Sequence, residues 1–225
     1  MKPLKNAMEY FLNLLYPPKC PFCEKVLDRP GTCPACDAAV PRTGAEHSLR
    51  KLDSGLLCAA PLWYEGMVRD ALLRLKFNGR ASSAVPLGAF AAECAAEHFS
   101  GEFDVVTWTP VSRKRLKKRG YDQAELLARS ICRRWDTRPV RLLWKIKDNP
   151  AQSGLESAAQ RRENVQGVYK AAPEARGKRI LLVDDICTTG STLTACAQTL
   201  FDAGAACVFC ICVASAGKSV KFGKE

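Results

Sequence analysis

The chain has 225 residues, enough for one full domain with an attachment or for two small ones at roughly 100–200 residues per domain. Hydrophobic residues make up 47% and charged residues 25%, a balance that excludes wholesale disorder. Lys and Arg number 34 against 23 Asp and Glu, leaving +11. That excess suits polyanions, either nucleic acid or a phosphorylated small molecule, without choosing between them.

Residues 8–16 are apolar but include Glu9 and Asn13 and run into Pro17-Pro18. They lack a small-residue cleavage site, so no signal peptide is read. No stretch approaches the roughly 18 uninterrupted apolar residues of a membrane helix, so no membrane insertion is expected. The expected compartment is the cytoplasm, where thiols stay reduced, and the 12 cysteines then need a role other than disulfides.

Cys20 and Cys23 form one C-x2-C knuckle and Cys33 and Cys36 a second, with nine residues between the pairs. Two such knuckles supply four thiolates to a tetrahedral Zn²⁺ and leave no open position, which makes the site structural. The region around them has few large apolar residues, so a metal stands in for a missing core. Cys58, Cys94, Cys132, Cys196, Cys207, Cys210 and Cys212 lie in apolar or helical contexts and read as small hydrophobes. His47 and Cys58 offer two ligands without partners for a second site, and neither His47 nor His98 falls within a motif.

Val68, Leu72, Leu75 and Lys76 follow a helical spacing after Gly66, stopped by Asn78-Gly79. Residues 84–99 are alanine-rich and helix-prone, and Ser100-Gly101 ends them. From residue 102 onward, apolar runs alternate with helical segments. Strands are predicted over 104–109, 140–145, 178–185 and 206–213, and helices over 123–135 and 191–202, the last stopped by Gly204. This alternation indicates an α/β fold, a parallel sheet with helices on both faces. The expected organisation is a four-Cys zinc module over 1–60, the α/β domain over 61–217 and a polar tail over 218–225.

The most informative segment is ILLVDDICTTGSTL at 180–193. A buried strand ends in Asp184 and Asp185, a small-residue loop follows, and a helix starts near Ser191. In open α/β sheets ligands bind beyond the carboxyl ends of strands. Backbone N–H groups and the hydroxyls of Thr188, Thr189, Ser191 and Thr192 cradle a phosphate there, and Gly190 permits close approach. The carboxylates repel a phosphate, so they serve sugar hydroxyls or a hydrated Mg²⁺. Phosphate beside a diol describes ribose 5-phosphate.

This segment resembles the phosphoribosyl pyrophosphate (PRPP) signature of type I phosphoribosyltransferases. The resemblance implies that Asp184 and Asp185 hold the ribose hydroxyls and that residues 188–192 bind the 5′-phosphate. Tyr64-Glu65-Gly66, Leu75-Lys76-Phe77-x-Gly79, the run KRLKKRGYDQ at 114–123, and Arg162-x-Asn164-x-x-Gly167 resemble the ComF family. So does the Cys quartet after Tyr16-Pro17-Pro18. That family joins a zinc-ribbon-like region to a type I phosphoribosyltransferase domain and takes its name from competence, the uptake of DNA. Some relatives carry a longer or double cysteine region, whereas this chain offers one complete quartet.

Arg113, Lys114, Arg115, Lys117, Lys118 and Arg119 place six positive charges in seven residues. By the same resemblance, Pro110, Val111, Ser112 and Arg113 fall in the loop that holds pyrophosphate, which an Arg and backbone amides would neutralise. Lys117, Lys118 and Arg119 are also placed to contact single-stranded DNA, with Trp108 and Tyr121 as stacking aromatics; a solvated helix start is the plainer reading. Hypoxanthine-guanine enzymes of this fold carry Asp at the position of Thr188, so that salvage activity is disfavoured. Two functions share these motifs. One is a PRPP- and Mg²⁺-dependent transferase acting with the DNA-uptake machinery. The other is a non-catalytic PRPP- or nucleotide-binding protein that binds single-stranded DNA.

Overall fold

The computed structural model describes residues 17–147 and 167–217. The apolar segment at 8–16, Arg162 and Asn164 of the fourth motif, and the tail at 218–225 lie outside the described residues. The main sheet contains β1 (Leu49–Lys51), β2 (Leu57–Ala59), β3 (Leu62–Trp63), β4 (Val105–Trp108), β7 (Arg179–Cys187) and β8 (Cys207–Ser215), in the order β1-β2-β8-β7-β4 with β3 also on β8. Only the β1–β2 pair is antiparallel; β2, β3, β7 and β4 all join in parallel. Residues N-terminal to 61 thus contribute two strands to this sheet. A separate antiparallel pair joins β5 (Leu143–Lys145) to β6 (Tyr169–Ala171).

The two-residue period of β7 and β8 divides the core. Leu181, Val183, Ile211 and Val213 point into one cluster with α3 (Gly66–Phe77), α4 (Ala84–Phe99) and α6 (Gln123–Arg134). Ile180, Leu182, Val208, Cys210 and Cys212 point to the other face, against α7 (Ser191–Asp202) and Leu142 and Leu143. Both faces are covered, as expected for a parallel sheet.

The helices at 84–99 and 191–202 begin and end where the sequence places them. The predicted strand at 140–145 is corrected. Only 143–145 is a strand, and it pairs with β6 rather than with β4. The preceding residues instead cap the β4 edge, where Val140 N–H donates to the Val106 carbonyl and Leu142 N–H to Thr107 Oγ1.

Helices α4 and α6 meet at Gly88. A Cβ built there lies 2.5 Å from Ser130 Cβ, and the Ser130 hydroxyl donates to the Val85 carbonyl. Gly88→Ala is expected to lower stability by about 1–3 kcal/mol through this overpacking. Urea unfolding monitored by circular dichroism measures it; an unchanged midpoint would refute the close approach.

Candidate functional site

The carboxyl end of β7 carries both acids. Asp184 and Asp185 are buried, 8% and 5% exposed. Asp185 N–H donates to Asp184 Oδ1 at 2.8 Å, and Ile186 N–H to Asp185 Oδ1 at 3.0 Å. Burial pushes the Asp184 carboxyl well above the usual range, and the neighbouring Asp185 charge adds to that; a hydrogen bond from Thr109, at the end of β4, acts the other way. Lys76, in the last turn of α3, brings Nζ to 3.3 Å from Asp185 Oδ2. That contact is electrostatic only, and Asp185 Oδ2 has no hydrogen-bond donor among the described residues. The acids therefore face the loop with unused acceptor capacity.

The loop after β7 exposes Thr188, Thr189, Ser191 and Thr192, and Gly190 caps α7. Gly190 adopts φ +77°, and a Cβ there would lie 2.7 Å from Leu52 Cδ1, so conformation and space both call for glycine. Thr189 Oγ1 and Ser191 Oγ are 2.7 Å apart. The turn between β1 and β2 braces the loop from outside. Arg50 donates to the Thr188 carbonyl at 2.9 Å, and Thr194 Oγ1 donates to Ser54 Oγ at 3.0 Å. Arg50, Leu52 and Ser54 were not singled out from sequence, because only the register of β2 on β8 brings them here.

The loop after β4 runs beside the acids, since Trp108 pairs with Val183 and Thr109 N–H donates to the Val183 carbonyl. Ser112 is buried and caps the basic helix α5 (Arg113–Arg119), accepting from Arg115 N–H at 3.3 Å; Arg113 is exposed. Asp122 fixes this loop by accepting from Val111, Ala124 and Glu125 N–H groups.

Lys76, Phe77, Arg115, Lys118, Arg119 and Tyr121 line a cavity of ≈ 370 Å³ next to the acids. Phe77 is 63% exposed with the Arg119 guanidinium 5.1 Å from its ring centroid. Lys117 is exposed and outside that lining.

Trp108 does not serve as a stacking aromatic. It is 4% exposed, beneath the Arg141 guanidinium. Tyr121 is half-buried with its hydroxyl donated to the Leu75 carbonyl, which leaves Phe77 as the open aromatic of this cavity. His47 is exposed beside Trp63, and His98 Nε2 lies 2.8 Å from Ser48 Oγ; neither lines this cavity.

The four cysteines converge. The sulfurs of Cys20, Cys23, Cys33 and Cys36 all lie within 4.8 Å of one another, and Cys23 and Cys33 are 3.6 Å apart. Tetrahedral Zn–S bonds of about 2.3 Å set sulfurs about 3.8 Å apart, so the quartet fits. The first knuckle is a tight turn with Glu24 at φ +61°, closed by Glu24 N–H on the Cys20 carbonyl. The second enters α1 (Pro34–Ala39), where Pro34 starts the helix. Arg74 of α3 donates to the carbonyls of Pro21 and Phe22, both at 2.8 Å, which docks the module on the α/β domain.

Comparison with known proteins agrees with this geometry. Residues 116–224 match the phosphoribosyl transferase domain family. The DNA utilization protein YhgH of Escherichia coli is 32% identical over 115 residues, 48% of this chain and 49% of that protein, so the chain spans about half the length of this relative. The competence protein ComFC of Bacillus subtilis is 27% identical over 187 residues, 83% of this chain and 73% of that one. By these matches the chain is similar to the ComF proteins. Among solved structures, one described as the allosteric regulatory enzyme of purine biosynthesis overlays with a TM-score of 0.37 at 22% identity, over 58% of this chain and 26% of that one.

The protein thus sets an acid pair, a hydroxyl-rich loop and a cationic cavity side by side on one edge of its sheet. Among its described residues no helix is long and apolar enough to cross a membrane.

Proposed function

We propose that the protein binds PRPP with Mg²⁺ and transfers, or senses, its ribose 5-phosphate. The observation that carries this is the buried Asp184–Asp185 pair, with Asp185 Oδ2 lacking a donor, directly before the loop Thr188–Thr192 at the start of α7. A carboxylate oxygen in that state accepts a hydrogen bond from a ribose hydroxyl. The loop's N–H groups and hydroxyls take the 5′-phosphate, helped by the helix dipole. Ser112 and Arg113, with Arg115 from the cavity wall, take the pyrophosphate. Mg²⁺ brought with PRPP would neutralise the leaving group. The protein's share is positioning and fixed charge rather than acid–base chemistry. The Cys quartet holds a structural Zn²⁺ that keeps the N-terminal module docked on α3.

We place this activity in DNA uptake and the use of internalised DNA, since the relatives bear the names competence protein and DNA utilization protein. A second reading is favoured by Phe77. An exposed ring ringed by Lys76, Arg115, Lys118 and Arg119 suits a base of single-stranded DNA, with its phosphates on the cations.

Calorimetry with PRPP and Mg²⁺ on the zinc-loaded chain tests the first reading, followed by pyrophosphate release with a panel of acceptor bases. Saturable binding is expected. A folded chain that ignores PRPP, yet binds single strands with a steep salt dependence, would overturn it in favour of the second reading.

A further inference from the structure

Cys58 on β2, Cys187 at the end of β7 and Cys212 on β8 converge on the α7 face of the sheet. Their sulfurs all lie within 4.8 Å of one another, and the residues are 1%, 1% and 0% exposed. Cys187 escaped notice in the sequence, and Cys58 and Cys212 read there as small hydrophobes. Packing alone does not account for the fourth member of the group. Arg50 reaches from β1 to put its Nη2 2.7 Å from Cys187 Sγ and 3.3 Å from the Cys187 carbonyl. Its Nε is buried with no hydrogen-bond partner among the described residues. Arg50 is half-buried and its Nη2 also reaches the Thr188 carbonyl, but the buried Nε places positive charge beside the sulfurs, which favours thiolate there.

We propose that Cys58, Cys187 and Cys212 form a second metal site, which takes one soft monovalent cation of the Cu(I) class. Three thiolates converge, and no fourth His, Cys, Asp or Glu joins them among the described residues. Metal–sulfur bonds of about 2.3 Å in a trigonal plane set sulfurs about 4 Å apart, within the observed limit. Zn²⁺ prefers a fourth ligand, whereas thiolates in low coordination select Cu(I). Three thiolates around a monovalent cation carry a net charge of −2, which Arg50 partly offsets. Binding displaces the thiol protons to solvent. The site is separate from the quartet and does not depend on the PRPP reading.

The test uses the full zinc-loaded chain under anaerobic, reducing conditions. Cu(I) is titrated in competition with bicinchoninate while zinc release is followed in parallel. The wild type is expected to take one Cu(I) per chain without releasing zinc. Cys187→Ser is expected to weaken that uptake at least about 100-fold, the upper end of what losing an outer-shell partner costs. X-ray absorption at the copper edge of the wild type, which needs no variant to fold, is expected to show three sulfur neighbours. No uptake, uptake with one-for-one zinc release, uptake undiminished in folded Cys187→Ser, or any other coordination would overturn the proposal.

Discussion

Asp184→Asn is expected to raise the melting temperature of the chain and at the same time to abolish PRPP binding. The carboxylate is buried beside a second carboxylate, with its pKa raised first by desolvation and then by Asp185. A carboxyl whose folded pKa is raised contributes stability that is fully present below the unfolded pKa. That contribution is lost as pH rises from the unfolded value through the folded one, so above the ordinary carboxylate range the buried acid is a cost. Asn keeps an acceptor for the Asp185 N–H and removes the charge. A gain of about 1–3 kcal/mol is in range for relieving such a site, or roughly 2–10 °C at this chain length. The advantage over wild type should widen as pH rises from acid through and above the ordinary carboxylate range, a trend that thermal melts across pH would record. Binding moves the other way, because an amide cannot accept from two sugar hydroxyls as a carboxylate does. Melts at lower temperature than wild type, or unchanged calorimetric affinity, would each contradict this account. Stability exchanged for function is the usual mark of a ligand site.

With Zn²⁺ in the quartet as proposed, chelation is expected to release one metal per chain and unfold the N-terminal module. Phe22 and Val40 lose their burial in the core shared with α3 and α4, and Arg74 loses two carbonyl acceptors. Exposing two such side chains costs about 3–6 kcal/mol, which corresponds to a fall of roughly 10 °C. Chelation followed by limited proteolysis should place new cuts between residues 17 and 43 while α4 stays protected. A metal-free chain that resists cleavage there would contradict the structural role.

Much of this architecture is legible in local pattern. ILLVDD is a strand by its apolar run, Gly190 and Ser191 mark a helix start, and the spacing of Val68, Leu72 and Leu75 gives α3. The two knuckles announce their own convergence. What escapes is set by register across the sheet. Strands β1, β2 and β3 are two or three residues long, too short for any period to show. Cys58 meets Cys212 and Cys187 because Cys58 pairs with Cys210 and Asp184 with Cys212, far apart in sequence. Arg50 arrives at Thr188 by the same route. Trp108 fails as a stacking ring because β4 is covered on both faces, burying Val106, Thr107 and Trp108 in succession, which nothing nearby in sequence reveals. The segment at 140–142 caps an edge rather than extending it, a distinction of hydrogen bonding that composition does not encode.

The edges of the sheet have one more consequence. Strand β8 reads CVFCICVAS, nine residues without charge or proline, the composition of a self-associating segment when solvent reaches it. It is shielded laterally by β2, which is itself paired to the short, basic β1, where Arg50 and Lys51 discourage a further strand. The opposite border is closed by Val140 on β4. The β1–β2 hairpin therefore acts as a gatekeeper against aggregation. Any lesion that peels it away endangers solubility together with the loop that Arg50 and Ser54 brace.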